Sequence, residues 1–479
     1  MKFEPLHYPD KIRVINPSGD VGIVTLWTPI KQMVKSLWTA GIDLSIHTSR
    51  IATIGNLYGN GLPELLRNLL WNPQIRHLLI VGQNLSGSRE DLLNFFQLGI
   101  EEVTYLGSPA YRIKGSQRMI DNLVTPADFK YGLHLLPMGR LSESIERIKE
   151  AFQQLPNPEC HGDLDRVNIP LSRLKVTRYP SDPRHHSILE STPIKAWREV
   201  VFRLMRFGHA VRLKKGGRRE LQNVKVTVTD TAIDMSDLEE YGFSTTHFLE
   251  YQNQILDPSP NDQPYTYGNR IRGYFSYHGR VVDSLAIAIK RLQEDNESRH
   301  AYISLWDNSK DLPEGHHCPC LVSLFFRYFE GKLTLTASFR THNAMDAWLE
   351  NMYGLIAILH YVAKGTGMEP GAITIFSHSI SISEDSLDRA SRVASKEKRV
   401  ELQLDPYGNM MVTVDKTTSQ IVVQHTYQGA VIKEYRGSTS EAIERELALD
   451  EAISDISHAL YVGRELARAE NRLGEATPK

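Results

Sequence analysis

Apolar and polar positions follow two different patterns along the first 155 residues. Short apolar runs have the length of buried strands, and they occupy residues 21–27, 51–57 and 77–82. Between and after them, segments such as GLPELLRNLLWNP and SREDLLNFFQLGI carry apolar residues at the spacing of amphipathic helices. Strands that alternate with helices are typical of a parallel sheet covered by helices. We therefore predict an α/β domain over residues 1–155.

The pattern breaks between residues 156 and 190. This stretch is rich in proline and charge, with segments such as PNPECHGDLDR and RYPSDPRHH. Such composition without periodicity is typical of loops and connections. We predict a linker over residues 156–190, and Cys160 is then a linker residue.

Helical and extended patterns are mixed over residues 191–398. AWREVVFRLMRFG and VVDSLAIAIKRLQED have the spacing of amphipathic helices, whereas RHAYISLW, CLVSLFFRYFE and KLTLTASFR have the composition of strands. From Met345 to Val362 the apolar residues recur at the spacing of a buried helix. The mixture predicts an α+β central domain.

Residues 399–479 predict a third, small α+β domain. VELQLDP, MMVTVDK and QIVVQHTY are typical of strands, and Thr439 to Glu470 has the pattern of one or two helices.

Composition narrows the possible partners. The 479 residues include 55 Lys and Arg against 57 Asp and Glu, so no net field favours nucleic acid or an anionic membrane. The N-terminus MKFEPLHYPDKIRV lacks the apolar core of a signal peptide, and no stretch has the length of a membrane span. The three cysteines cannot form a disulfide framework. We expect a cytoplasmic protein without nucleic-acid or membrane partners.

The segment HHCPCLVSLFF, from His316 to Phe326, concentrates two of the cysteines. A structural zinc site needs four ligands, usually in two pairs, and this segment supplies one crowded half. We therefore expect no metal site, with His316 and His317 in a solvated loop. Cys318 and Cys320 are separated only by Pro319 and are badly placed for a mutual disulfide.

A reactive thiol is the other possibility, and it requires a nearby cation, because a free thiol is mostly protonated at neutral pH. In FRTHNAMDAWLEN, Arg340 ends one strand just before the helix that carries Asn351. If neighbouring strands bring Cys320 and Arg340 together, the guanidinium favours the thiolate and offers a planar fork to phosphate. Taken singly, these residues also fit a buried core cysteine, a structural ion pair and a satisfied helix amide.

Residues 267 to 383 resemble thymidylate synthase, particularly its short archaeal branch. The resemblance lies in the order, spacing and residue types of YGNRI, ESRHAYISLWDNSKD, CPCLVSLFFRYFEGKLTLTASFRTHNAMDAWLENMYGLI and GAITIFSHSISIS. It implies that Cys320 is the nucleophile that adds to C6 of a pyrimidine nucleotide. Arg340 and Thr341 match phosphate-binding residues, and Asn351 matches the asparagine that pairs with N3 and O4 of the base.

The resemblance assigns further site residues. Arg299 and His300 match two consecutive arginines that reach the partner subunit's phosphate, which implies a homodimer. Tyr267 matches the tyrosine of a proton relay, and Trp306 matches an active-site tryptophan. The segment RLKKGGRRE, residues 212–220, is expected to be the flexible loop that closes on phosphate, with its functional cation left open.

Three positions depart from the family pattern. Asn343 stands where aspartate is usual on the folate side. Ser381 and Ser383 replace a histidine and a tyrosine that bind the sugar hydroxyl, so deoxyribose and ribose both remain possible. The relay glutamate remains open among three residues, Glu239, Glu240 and Glu250.

The flanking segments carry fainter resemblances. The first domain resembles the cobamide-carrying component of tetrahydromethanopterin methyltransferase through IGNLYGNGLPELLRNLLWNPQIRHLLIVGQNLSG, but GQNLSGSRED lacks that family's cobalt-binding histidine. The last domain, through LDPYGNMMVTV and DISHALYVGRELARAE, resembles a domain of unknown function that accompanies archaeal-type thymidylate synthases.

The resemblance therefore implies an enzyme that transfers a one-carbon unit from 5,10-methylenetetrahydrofolate, or a related pterin carrier, to C5 of a uracil nucleotide. Conversion of dUMP to dTMP is the leading expectation. Hydroxymethylation by the same family begins identically and remains an alternative. A nucleotide-binding sensor or scaffold without catalysis is the rival from another class.

Overall fold

The computed structural model describes residues 1–158, 165–173, 175–232, 235, 238–314, 318–395 and 405–476. The chain divides into two compact units, Met1–Ser395 and Lys396–Lys479. Within the described ranges, no helix combines the length and apolar character that crossing a bilayer requires.

The first part of the larger unit alternates strands and helices. Its strands are β1 (Ile12–Val14), β2 (Val21–Val24), β3 (Ile51–Gly55), β4 (His77–Val81), β5 (Ile100–Tyr105), β6 (Ser108–Ile113), β7 (Met119–Ile120) and β8 (His134–Gly139). Its helices are α1 (Ile30–Thr39), α2 (Leu62–Trp71), α3 (Ser88–Gln97) and α4 (Leu141–Gln154).

The main sheet of this part has the strand order β1-β3-β2-β4-β8. Strands β2, β3, β4 and β8 are parallel, as the alternation of apolar runs and helices predicts, and β1 joins β3 in the antiparallel direction. Strands β5 to β7 form a separate antiparallel sheet, which the sequence pattern does not predict.

Two parts of the stretch predicted as a linker are held by neighbouring elements. The guanidinium of Arg67, on α2, donates to the carbonyl oxygens of Ile169 and Pro170 at 3.0 and 2.8 Å. Residues Ser187–Glu190 form strand β9, which pairs in parallel with a strand of the central sheet. Cys160 lies outside the described residues.

The remaining strands of the larger unit are β10 (His209–Leu213), β11 (Gly216–Val228), β12 (Ser276–Tyr277), β13 (Arg280–Val281), β14 (Tyr302–Ser304), β15 (Leu321–Phe329), β16 (Lys332–Phe339), β17 (His342–Asn343) and β18 (Pro370–Ser383). The helices are α5 (Pro193–Phe207), α6 (Thr245–Gln254), α7 (Tyr267–Arg272), α8 (Ser284–Glu294), α9 (Asn308–Glu314), α10 (Trp348–Thr366) and α11 (Leu387–Ser395).

The central sheet positions the candidate site. Its strand order is β10-β11-β18-β16-β15-β14, with β9 beside β11 and β17 beside β18. The apolar helix α10 packs against β16 and β18, as its buried-helix pattern predicts.

Residues 212–220, expected to be a loop that closes on phosphate, are paired strands in the structure. These residues form the β10–β11 hairpin, in which Leu213 pairs with Gly216 across a turn at Lys214 and Lys215. Strand β11 continues along β18, with Arg218 opposite Ser383. The strand pairing explains why this glycine-containing segment is ordered.

The smaller unit is a three-stranded meander covered by helices. Strands β19 (Asn409–Asp415), β20 (Gln420–Tyr427) and β21 (Ala430–Gly437) are antiparallel, and α12 (Ser440–Leu449) and α13 (Ile456–Ala476) follow. The predicted strand VELQLDP falls almost entirely outside the described residues. The protein therefore has the mixed helix and sheet content that the sequence predicts.

Candidate active site

Cys320 and Arg340 lie side by side at the end of two antiparallel strands. Cys320 precedes β15 and Arg340 follows β16, and the first pair of these strands is Leu321 with Phe339. The backbone N–H of Arg340 donates to the carbonyl of Cys320 at 2.9 Å. The register shifts between Leu321 and Ser323, which is the kind of bulge that often lies beside active sites.

The side chain of Arg340 holds the Cys-Pro-Cys backbone in place. Its Nε donates to the carbonyl of Pro319 at 3.2 Å and its Nη2 to the carbonyl of Cys318 at 2.9 Å. Trp306 Nε1 donates to the same Pro319 carbonyl at 3.0 Å. Within the described residues, Arg340 Nη1 has no hydrogen-bond partner, so its donors remain free for an anion.

The thiol of Cys320 is half-buried and faces two hydroxyl groups. Its Sγ lies 3.5 Å from Thr341 Oγ1. The hydroxyl of Tyr265 also interacts with the thiol and with the backbone N–H of Cys320. Burial, and then the adjacent thiol, raise the pKa of Tyr265, so this hydroxyl stays protonated at neutral pH.

A cavity of about 390 Å³, here called the tyrosine cavity, adjoins this cluster. Its walls include Tyr251, Tyr265, Tyr267, Gln254, Glu350 and Asn351. Cys320 is not among the wall residues, and Tyr265 connects the two features because it both lines the cavity and contacts the thiol. Tyr265 is therefore the residue that the thiol cluster and the tyrosine cavity share.

The other two tyrosines of the cavity, Tyr251 and Tyr267, are half-buried. Burial raises the pKa of Tyr267 well above its ordinary value, with the neighbouring Tyr251, Tyr265 and Cys320 acting in the same direction. Burial also raises the pKa of Tyr251, and Glu350 adds to this effect. These hydroxyls remain hydrogen-bond donors at neutral pH.

Asn351 lies in the first turn of α10 and is buried. Its Oδ1 accepts a hydrogen bond from the Tyr251 hydroxyl at 2.7 Å, and its Nδ2 donates to His342 Nε2 at 3.0 Å. His342 Nδ1 lies 3.1 Å from Ser377 Oγ. The carboxamide is thus held at both ends while it lines the cavity.

The carboxylate that lines the tyrosine cavity belongs to Glu350. Its Oε1 lies 2.6 Å from Nε2 of the exposed His247. By contrast, Glu239, Glu240 and Glu250 are exposed and are not among the cavity's wall residues in the described part of the chain. Geometry therefore favours none of the three residues that the sequence leaves open for the relay.

The two serines at the end of β18 have different surroundings. Ser381 is buried, and its hydroxyl accepts a hydrogen bond from Arg218 Nη1 at 3.4 Å. Ser383 is half-buried, and its hydroxyl contacts Ser386 Oγ at 3.3 Å. Arg218 is thus a cation that the hairpin brings to this end of the sheet.

Asn343 is engaged in a local turn. Its Nδ2 donates to Asp346 Oδ2 at 2.9 Å, and its Oδ1 accepts from the backbone N–H of Met345 at 3.0 Å. Arg299 and His300 are both exposed, just before the edge strand β14, and neither lines the tyrosine cavity of its own chain within the described residues.

Several site residues escape the sequence argument. They are Tyr251, Tyr265, His342, Ser377 and Glu350. The sequence gives a weak indication of Tyr265 as a site residue, because the segment YTY places it two residues before Tyr267. The others come from helix and strand positions whose sequence spacing gives no indication of a common cavity.

The part of the chain that the structure describes contains no group of three or more His, Cys, Asp or Glu residues able to hold a metal ion. His316 and His317 lie outside that part. Within the described residues, the backbone of the CPC segment accepts hydrogen bonds from Arg340 and Trp306.

The middle of the chain is similar to proteins of methanogenic archaea that bear the name "Putative thymidylate synthase". The protein from Methanothermobacter marburgensis is 32% identical over 214 residues, which are 42% of this chain and 93% of that protein. The protein from Methanothermobacter thermautotrophicus is 32% identical over 212 residues, which are 41% of this chain and 93% of that protein. The protein from Methanopyrus kandleri is 28% identical over 195 residues, which are 40% of this chain and 90% of that protein.

The chain therefore belongs to the thymidylate synthase family through its central region, which confirms the resemblance found in the sequence. Residues 404–478 match a family model described as PterinBD-DUF4346, in agreement with the separate C-terminal domain expected there.

Proposed function

We propose that this protein transfers a one-carbon unit from methylene tetrahydrofolate, or a related pterin carrier, to C5 of a uracil nucleotide. Conversion of dUMP to dTMP is the reaction we favour. The observation that carries the proposal is the cluster in which the Cys320 thiol contacts Thr341 Oγ1 and the backbone N–H of Arg340 donates to the Cys320 carbonyl. Tyr265 links this cluster to a cavity whose wall includes Asn351.

In the proposed reaction, the Cys320 thiolate forms a bond to C6 of the pyrimidine, and the electron pair of the C5–C6 double bond moves into an enolate. C5 then bonds to the methylene carbon of the donor. Loss of the C5 proton expels the donor nitrogen from that carbon and leaves an exocyclic methylene at C5. Hydride from tetrahydrofolate, which becomes dihydrofolate, converts the methylene to methyl, or water converts it to hydroxymethyl. The Cys320 thiolate leaves C6 in the same step, which restores the C5–C6 double bond. Tyr265 and Tyr267 are suited to proton transfer near C5, because both hydroxyls lie near the thiol and stay protonated.

The folate or pterin carrier is a co-substrate of this reaction. The tyrosine cavity has the residue types that suit a pterin ring. Aromatic side chains suit the planar faces of the ring, and Gln254 and Glu350 offer polar groups to the edge of the ring. The name of the C-terminal family model, PterinBD-DUF4346, agrees with a pterin-related role for the protein.

Three arginines support phosphate recognition. Arg340 Nη1 has no hydrogen-bond partner among the described residues, and Arg218 reaches Ser381 from the hairpin. We propose that Arg299, which is exposed next to an edge strand, is delivered by a second copy in a homodimer. Sedimentation equilibrium should give twice the 54.4 kDa chain mass, and a monomer would remove this part of the proposal.

The test is incubation with C5-tritiated dUMP, UMP or dCMP and methylene tetrahydrofolate, followed by tritium release and product mass. We expect tritium release with dUMP, and a methyl or hydroxymethyl product mass separates the two reactions. Cys320→Ala should abolish release, and Cys318→Ala is the matched control, because the Cys318 thiol bonds instead to the carbonyl of Asp311 at 3.2 Å.

A nucleotide-binding sensor is the second candidate. It is favoured by the replacement of sugar-binding residues with Ser381 and Ser383. It predicts nucleotide binding that survives Cys320→Ala, together with no tritium release from the unmutated protein. Absence of turnover with every nucleotide would overturn the enzymatic proposal.

A further inference from the structure

Tyr251, Asn351, His342 and Ser377 form a continuous chain of side-chain hydrogen bonds, here called the amide chain. It runs from the tyrosine cavity into the core, with successive distances of 2.7, 3.0 and 3.1 Å. Its inner members are deeply buried, with exposed fractions of 6% for Asn351, 4% for His342 and 0% for Ser377.

The directions of these hydrogen bonds depend on one another. The Nδ2 group of Asn351 can only donate, so His342 Nε2 accepts. A neutral imidazole that accepts at Nε2 carries its proton on Nδ1, which then donates to Ser377 Oγ. The imidazole is neutral because burial lowers the pKa of His342 to about 3.

The same four side chains can also be satisfied in the opposite direction. If the carboxamide turns by half a revolution, Nδ2 donates to the Tyr251 hydroxyl, and Oδ1 accepts from Nε2–H of the other His342 tautomer. The hydroxyl of Ser377 then donates to Nδ1. Every member of the chain is able both to donate and to accept, so the reversal leaves none of these bonds unmade.

The two directions present different edges to a pyrimidine. A carboxamide that offers its oxygen to N3–H and its nitrogen to O4 recognises uracil. The turned carboxamide offers a donor to N3 and an acceptor to the exocyclic amine, which recognises cytosine. Asn351 by itself is therefore complementary to both bases, and its surroundings must decide between them.

We propose that the amide chain sets which way the Asn351 carboxamide faces, and that His342 and Ser377 are thereby positioning residues that select uracil over cytosine. This inference rests on the proposed function, because it takes the observed direction of the chain as the one used for a uracil nucleotide.

Substitutions at the two ends of the amide chain should shift the preference between uracil and cytosine in opposite directions. In the observed arrangement, Ser377→Ala leaves the Nδ1–H of His342 without an acceptor. In the turned arrangement, Nδ1 of His342 carries a lone pair, and the substitution removes only the hydroxyl that donates to it. Buried N–H groups without partners are the more costly kind. The variant should therefore favour the cytosine arrangement. Tyr251→Phe leaves Nδ2–H without an acceptor in the turned arrangement, so it should favour the uracil arrangement.

The experiment measures the Kd values of dUMP and dCMP by calorimetry, with the full-length protein. We expect Ser377→Ala to reduce the preference for dUMP by roughly tenfold, the effect of about one hydrogen bond. Tyr251→Phe should preserve or increase the preference, even if both affinities fall. A merely structural role would weaken both nucleotides alike and leave their ratio unchanged.

Ser338→Ala is the matched control. It removes a similar serine–histidine hydrogen bond, with Ser338 Oγ 3.2 Å from His378 Nε2, at an exposed place on the neighbouring strand β16. The dUMP to dCMP ratio should not change. An unchanged ratio in Ser377→Ala overturns the inference while the proposed function stands. Failure of the unmutated protein to bind dUMP overturns the proposed function and the inference with it.

His342→Leu is a second variant that tests how the amide chain orients the Asn351 carboxamide. It removes the acceptor from Nδ2 of Asn351 and should also shift the ratio toward dCMP. If it fails to fold, the test is still complete, because Ser377→Ala keeps the imidazole and changes only the far end of the chain.

Discussion

Two histidines, one at the candidate site and one in the smaller unit, are hydrogen-bonded in very different surroundings. His342 sits among neutral groups, Asn351 and Ser377. His458 Nδ1 lies 2.8 Å from the carboxylate of Asp405, whose side chain is 1% exposed. The first arrangement can reverse its hydrogen bonds, whereas the second has a carboxylate that only accepts.

The Asp405 cluster is a fixed helix cap. Beside His458, the carboxylate accepts from the Ser454 hydroxyl at 2.7 Å and from the backbone N–H groups of Ser454 and Asp455 at 3.0 and 3.3 Å. These groups precede or open α13. Burial acts to raise the pKa of Asp405, but the hydrogen bonds from Ser454 and His458 outweigh it and the pKa is lowered. A carboxylate surrounded by donors stabilises one structure, while a neutral amide chain allows two.

The largest effect should come from Asp405→Ala. It leaves several donors at the start of α13 without an acceptor, and we expect a loss of about 3 kcal/mol in the local stability of that helix. Hydrogen exchange followed by mass spectrometry on the full chain checks this. Asp450→Ala, a more exposed carboxylate bonded to Tyr435, is the control and should cost less. Equal protection of α13 from hydrogen exchange in the two variants would contradict the role of Asp405 as the cap of this helix.

His342→Leu should have the next largest effect. It leaves the buried Nδ2 of Asn351 without its acceptor, at an expected cost of about 2 kcal/mol in the free energy of unfolding of the larger unit. All six tryptophans lie in that unit, so their fluorescence during urea unfolding reports on it alone. Retained stability would mean that the amide has another partner.

Acid should distinguish the two clusters. The folded pKa of His342, about 3, is below the ordinary 6.5, so the unfolded chain binds more protons between these values. The stability associated with neutral His342 is complete above pH 6.5 and is lost as the pH falls toward 3, by at most about 1.4 kcal/mol per pH unit. The stability from Asp405 is lost only below its ordinary pKa of 3.8.

The measurement is tryptophan-detected urea unfolding at several pH values. The difference in stability between the unmutated protein and His342→Gln should shrink between pH 7 and pH 5. Over the same interval, hydrogen exchange of α13, corrected for intrinsic rates, should show constant protection. A stability difference that does not change with pH would show that His342 is not held neutral.

Tyr251→Phe should have the smallest effect on stability. It removes one hydrogen bond to Asn351 Oδ1, at an expected cost of about 1 kcal/mol in tryptophan-detected unfolding. Tyr265→Phe is a useful comparison, since its hydroxyl contacts Cys320 and not the amide chain. A larger loss of unfolding free energy in Tyr251→Phe than in His342→Leu would contradict the expected order of effects within the amide chain.

Much of the fold could be predicted from the local pattern. The parallel order around β2 to β4 follows from apolar runs separated by helices, and α10 follows from its buried-helix spacing. The hairpin at residues 209–228 could not, because GGRRE has weak strand preference and its order comes from pairing with β18. Strands β5 to β7 lie outside the alternation of strands and helices, and they pair with one another in a separate sheet.

The sequence by itself determined the resemblance to the thymidylate synthase family and the strands beside Cys320 and Arg340. The antiparallel pairing of those two strands then brings the two residues together. Only the tertiary structure decided what surrounds them. Tyr251 is 100 residues from Asn351 in sequence, and Ser377 is 35 residues from His342. Hydrogen bonds act over about 3 Å, so a chain of polar side chains exists only once packing has brought distant segments to that distance and has removed the competing water.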